Sequence, residues 1–207
     1  MSAKPQLIVK GRKFDQVLEG ARTVFMRDGF ERASVDDIAR EAGVSKATLY
    51  AYFPDKRILF MEIASTECRR QAEEAVSQID FNAPVAQILR MAAAKIIGFM
   101  QSEFGRRIFR IAVAESESFP ALAEQFYRSG PQLVKERIAA GLRCGVERGE
   151  LVIDDIPLAA SQFAQLCKVD LQDRLLFTAN ASIGPAEEAR LIEAAVSMFL
   201  ARYAKQP

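Results

Sequence analysis

The chain contains no histidine and no tryptophan. Without an imidazole it lacks the commonest general acid–base group at neutral pH, and the commonest metal ligand with it. Cysteine is also scarce: Cys68, Cys144 and Cys167 are widely spaced, and no C-x-x-C pair occurs. A disulfide framework and a zinc site both fit that pattern poorly, so no metal or cofactor is expected and a reducing, cytoplasmic setting is. No run of about 18 uncharged apolar residues is present, so nothing is expected to span a membrane. Leu7-Ile8-Val9, between lysines, is too short for the apolar region of a secretory signal. A glycine-rich phosphate loop is missing, and Glu115 and Glu117, two apart on an expected helix, face different ways. These gaps together argue against an enzyme. Charge of one sign is not in excess either, since the formal net charge is +1. That balance hides a modest basic bias in residues 1–57 and an acidic one in the remainder.

What is present is apolar residues at helical spacing. Half of the 207 residues are hydrophobic, enough for a sizeable core. No alternation of period two survives between the proline and glycine breaks, and the expected class is all-α, with about nine helices. Residues 1–11 read as a flexible arm carrying Lys4 and Lys10. Phe14, Val17, Leu18, Ala21 and Phe25 form one stripe of a helix over 12–28, which Gly29 ends. Ser34 can cap a helix over 35–42 whose first turn holds Asp36 and Asp37. Ser45 can cap a short helix over 46–53, and Pro54-Asp55 closes it and opens a long helix over 56–79. Further helices are expected over 84–101, 104–117, 120–128, 131–148, 156–177 and 185–204, most with proline in the first turn. The domains expected from this are 12–55 and 56–207.

The stretch from Val35 to Asp55 organises the rest. Ala39, Gly43 and Leu49 stand in the spacing of a helix-turn-helix: a small residue where two helices cross, a turn needing unusual backbone angles, and an inward apolar anchor. Ile38, Ala42, Val44, Leu49 and Tyr52 are the packing positions. Lys46, Ala47 and Tyr50 point away from Leu49 and Phe53, so they are the candidates for base edges in a major groove. Ser34, Ser45, Thr48, Tyr52 and Lys56 are candidates for phosphate.

The run GVSKATLYAYFPDKRILF, after FMRDGFERASVDDIAREA, resembles the DNA-binding domain of the TetR family of bacterial transcription regulators. FGRRIFRIAVAESESFPALAEQFYRSGPQLV and RGELVIDDIPLAASQFAQL are similar to the ligand-binding domain of its AefR-like branch. The resemblance implies a three-helix DNA-binding domain joined to a larger helical ligand-binding and dimerisation domain. It supports Thr48, Tyr50, Tyr52 and Lys56 as DNA contacts, whereas Ala51 stands where many relatives carry a longer polar side chain. It also implies a homodimeric repressor on a palindromic operator, released by a small apolar or amphipathic effector.

A pocket for that effector is expected from Met91, Phe99, Met100, Phe104, Phe109, Phe126 and Phe163, with Arg107, Arg110, Glu115 and Gln162 as polar groups. The helix over 185–204 is apolar around much of its circumference. With the helix over 156–177 it could form a four-helix subunit interface through Phe163, Cys167, Leu171, Leu191, Ala195, Met198 and Phe199. Two other readings stay open: a DNA-binding protein of the same fold acting without a small ligand, and a thiol redox sensor acting through Cys68.

Overall fold

A computed structural model describes residues 11–178 and 182–205. The expected arm carrying Lys4 and Lys10 lies outside the described residues. The described chain is helical, in two compact units divided between Thr66 and Glu67. The division falls within a helix rather than at residue 55.

The first unit holds α1 (Arg12–Arg32), α2 (Val35–Glu41), α3 (Lys46–Tyr52) and the start of α4 (Lys56–Ser77). Gly29 leaves helical geometry at φ 78°, so α1 is interrupted where the sequence placed its stop and adds one further turn. The unit closes on α1. Phe14 meets Tyr52 edge-on at 5.7 Å and Phe53 at 5.4 Å between ring centroids. At the other end of α1, Phe25 and Phe30 surround Phe60 of α4 at 5.2 and 4.9 Å. Val17, Ala21, Val24, Ile38, Leu49 and Leu59 fill the space between. Burying so much aromatic and branched surface, at about 25 cal/mol per Å², is what holds helices as short as α2 and α3 in place.

The second unit contains α5 (Val85–Gln101), α6 (Glu103–Ala114), α7 (Pro120–Tyr127), α8 (Leu133–Glu147), α9 (Ile156–Leu166), α10 (Leu171–Phe177) and α11 (Pro185–Tyr203). Its main core joins α5, α8, α9 and α11 through Leu89, Leu142, Ala160, Phe163, Val196 and Phe199. A smaller cluster of Ile97, Leu171, Leu175 and Leu191 seats α10. The turn after α8 ties the unit's end to its beginning. Glu150 accepts from the Val85 amide at 2.7 Å, and Lys205 donates its backbone N–H to the Glu150 carbonyl at 2.9 Å.

Three expectations are corrected. The segment over 156–177 is two helices, because the chain turns at 167–170 with Asp170 at φ 59°. That turn lets Leu171 and Leu175 reach the Ile97 cluster, a tertiary gain that outweighs unbroken helical periodicity. The expected break before Pro131 is absent. A π turn over Arg128–Gln132 joins α7 to α8, and its wider ring accommodates a proline that has no N–H to give. Finally, α6 stops at Ala114, so Glu115 and Glu117 lie in a turn.

Candidate functional site

In the first unit, local chemistry fixes α3. The Ser45 hydroxyl accepts from the Thr48 amide at 3.1 Å and lies 2.9 Å from Thr48 Oγ1. Ser34 caps α2 in the same way, accepting from the Asp37 amide at 3.0 Å and donating to Asp37 Oδ2 at 2.5 Å. Gly43, at φ 63°, turns the chain between the two helices, a backbone angle that costs glycine little and other residues more. Ala39 is buried at the crossing. A Cβ on Gly20 would stand 2.5 Å from the Ala42 backbone nitrogen, so α1 touches the end of α2 where only a hydrogen fits. Nothing in the spacing around Gly20 had marked it.

This packing divides α3 into two faces. Leu49 (1% exposed) and the following Phe53 (3%) face inward. Lys46, Ala47, Tyr50 and Ala51 are exposed, with Tyr50 at 48%. Lys46 reaches back to pair with Asp36 in the first turn of α2. Both side chains are exposed, so that pair is weak and the ammonium can exchange partners. Thr48 is half-buried beside its cap. Tyr52 leans on Phe14, and its ring is part of the packing. Lys56 is also engaged: its ammonium donates to the carbonyls of Phe30 at 2.9 Å and Ala33 at 3.1 Å, and sits 4.5 Å from the Phe30 ring centroid.

The second unit contains a partly open cavity of about 620 Å³. Phe99, Met100, Phe104, Phe109, Arg110 and Phe126, all expected there, line it. Phe99 and Phe104 meet edge-on at 6.2 Å. Arg110 donates to the Leu175 carbonyl at 2.8 Å, which holds α6 to α10. The expectation for Met91, Gln162 and Phe163 is corrected, since none belongs to the lining. Gln162 instead accepts from the Tyr203 hydroxyl at 2.6 Å, and Phe163 packs against Phe199 at 5.2 Å in the core. Arg107 pairs with Glu103 at 2.5 Å. Lys168 and Arg137, which sequence reasoning passed over, do line the cavity. Little in the sequence signalled Lys168 beyond its place between two apolar residues, Cys167 and Val169.

Two family models match the chain. One, described as "Bacterial regulatory proteins, tetR family", covers residues 17–63. The other, "AefR-like transcriptional repressor, C-terminal domain", covers residues 87–205, more than half of the chain. The chain belongs to the TetR family. Solved structures resemble it over most of its length. The Flavonoid-responsive Regulator FrrA is 33% identical, with 96% of this chain and 100% of that chain covered and a TM-score of 0.74. A TetR-family transcriptional regulator from Mesorhizobium loti MAFF303099 is 26% identical over 94% of this chain and 98% of that chain, also with a TM-score of 0.74. The helix-turn-helix regulator YfiR of Bacillus subtilis is 36% identical over 66 residues, and the chain spans about a third (32%) of that relative's length. As a TetR-family member the chain is a DNA-binding transcription regulator and not an enzyme.

For a TetR-family chain, the residues expected at a subunit interface need correction. Phe163, Cys167, Leu171, Leu191, Ala195 and Phe199 are all buried within a single chain, where they hold α9, α10 and α11 to the rest of the unit. Met198 faces outward, 63% exposed. The outer face of α11 carries Ala194, Ser197, Met198 and Ala201, and that of α9 carries Leu158 and Gln162. Among the described residues, no helix is long and apolar enough to cross a membrane.

Proposed function

We propose that this TetR-family chain is a cytoplasmic repressor that binds a palindromic operator as a homodimer and leaves it when a small apolar or amphipathic effector fills the cavity. The observation that carries the DNA reading is the outward face of α3. Lys46, Ala47 and Tyr50 stand together on a short capped helix whose other face is locked by Leu49 and Phe53. A rigid helix of that size enters a major groove and presents its first turns to base edges. In this reading Ser34, Ser45, Thr48 and Tyr52 flank the groove at phosphates, and Ala51 leaves base choice to the other three.

The effector reading rests on the cavity, whose volume falls within the range of about 300–1,000 Å³ usual for small-molecule sites. A relative named for its response to flavonoids supports it. Helix α4 runs through both units, and Cys68, Ala72 and Ala75 on its second half line the cavity. An effector that prefers a shifted α4 by about 10⁴-fold would turn a mostly bound population into a mostly released one. A dimer supplies the spacing, since two half-sites read from one side of a duplex lie about 34–36 Å apart. The exposed small and apolar residues of α9 and α11 are the surface we assign to it. The redox alternative finds no support, because burial pushes the Cys68 thiol up to about 12 and the thiolate is scarce at neutral pH.

Selection of bound duplexes from a random pool tests this. The expected product is a palindrome, bound by two chains, with Tyr50→Ala weakening binding at least tenfold. Recovery of unrelated sequences, or full affinity in Tyr50→Ala, would overturn it.

A further inference from the structure

The cavity's charged lining is one-sided. Glu74 is the sole acid among the described lining residues, and Arg70 pairs with it at 2.9 Å. Lys95, Arg106, Arg110, Arg137 and Lys168 add positive charge to walls that are otherwise mainly apolar, and Lys95 donates to Gln78 Oε1 at 2.6 Å.

Lys168 differs from the others. It sits in the turn at 167–170 that separates α9 from α10 and is half-buried. It makes no ion pair or side-chain hydrogen bond with the described residues. Burial first, and then the nearby charge of Lys135, hold its ammonium below the usual lysine range. Lys135 brings no acid to the site. Its own ammonium lies 3.2 Å from the Tyr127 hydroxyl and 5.1 Å from that ring's centroid. A half-desolvated ammonium beside a like charge, with no counter-ion, is unfavourable until an anion arrives. The same cavity offers the rings of Phe99, Phe104 and Phe126 to an apolar body.

We infer that the cavity takes an amphipathic organic anion, with its acidic group at Lys168 and its apolar part against these rings. The inference deepens the effector reading above and rests on it. A carboxylate, sulfonate or ionised phenol would each satisfy the lysine, which acts as a point charge and does not demand the planar, two-pronged geometry that arginine matches. Neutral molecules of the same shape would bury the same surface and leave the ammonium uncompensated.

Two dyes that share a ring system separate the terms: 1-anilinonaphthalene-8-sulfonate and neutral N-phenyl-1-naphthylamine. Each is titrated into the full chain and into Lys168→Met and Lys168→Gln, with DNA affinity for the selected palindrome followed in parallel. The expected result is one sulfonate bound per chain, at least tenfold tighter than the neutral dye. Both variants should lose that preference while holding the neutral dye within about twofold. Retained neutral-dye binding also reports that the variants are folded. Equal affinity for the two dyes, no binding of either, or a preference that survives in either variant would overturn the inference. Equal loss of both dyes would do so as well, by assigning Lys168 to packing. Lysine-dependent binding that leaves DNA affinity unchanged keeps the anion site and overturns the effector reading. Release of DNA by both dyes alike keeps the effector reading and overturns the anion site.

Discussion

Lys56 carries a charge that DNA could use, yet its ammonium is already shared between the carbonyls of Phe30 and Ala33 at the end of α1. Two charge-assisted hydrogen bonds, each worth roughly 1.5–3 kcal/mol, make it a fastener of the first unit. Lys56→Met is therefore expected to lower the melting temperature by several degrees while the salt dependence of DNA affinity keeps its slope. A slope reduced by about one charge without loss of stability would instead make it a phosphate contact. Gly20 is a second residue whose role lies in what it omits. A methyl there meets the Ala42 backbone at 2.5 Å, and a backbone atom cannot swing aside as a side chain end can. Gly20→Ala should destabilise the first unit by about 1–3 kcal/mol despite alanine's better helix propensity. Chemical denaturation followed by circular dichroism would measure it, and an unchanged midpoint would show that α1 and α2 part freely.

Among the elements, α2 and α3 were legible in the sequence to within a residue, because serine caps, the Gly43 turn and Pro54 are local signals. The break at 167–170 was not. The run from Ile156 to Phe177 has apolar residues at helical spacing and, beyond its opening turn, neither glycine nor proline. Only the pull of the Ile97 cluster on Leu171 and Leu175 ends α9, and a distant cluster leaves no mark in the run itself. The cavity was legible in kind, as aromatics and methionine on α5 to α7, but the lysine in that break was not. The turn after α8 is another element made by distant partners. Glu150 there is held below the usual carboxylate range, first by the Val85 amide and then by Arg148. The charged form is thus the one that stabilises the fold. Its contribution is present above the ordinary value of 4.5 and is lost as pH falls through the depressed one. Glu150→Gln should lower stability at neutral pH, where the charged form contributes, and flatten the acid limb of a stability-versus-pH curve below about pH 4.5, where variant and parent converge. An identical acid limb would place the sensitivity in other carboxylates.

For the molecule as a whole, the proposed subunit interface was the least legible part of the sequence. Composition ranks α9 and α11 as doubly buried helices, but it does not say which stripe meets the chain's own core and which a second chain. Phe163 and Phe199 read as well for either, and the structure turns them toward each other. The outward Met198 is the better probe of assembly. Met198→Arg would bury a charge at the proposed interface, so sedimentation should find monomers and operator affinity should fall at least a hundredfold. A monomer that still holds the full palindrome with undiminished affinity would refute the two-chain arrangement. The π turn at Arg128–Gln132 bears on the molecule's history as well as its shape. A turn closed five residues apart instead of four holds one residue more than the α-helical turn it replaces. Removing Pro131 itself would let the helix run regularly from Pro120 to Glu147, rotating the part before the turn by about 100° relative to α8. Phe126 would leave the cavity wall with it. A one-residue length change between descendants of a common ancestor could thus reshape what the cavity accepts while every helix is kept, so ligand preference in this lineage can drift by insertion and deletion as well as by substitution.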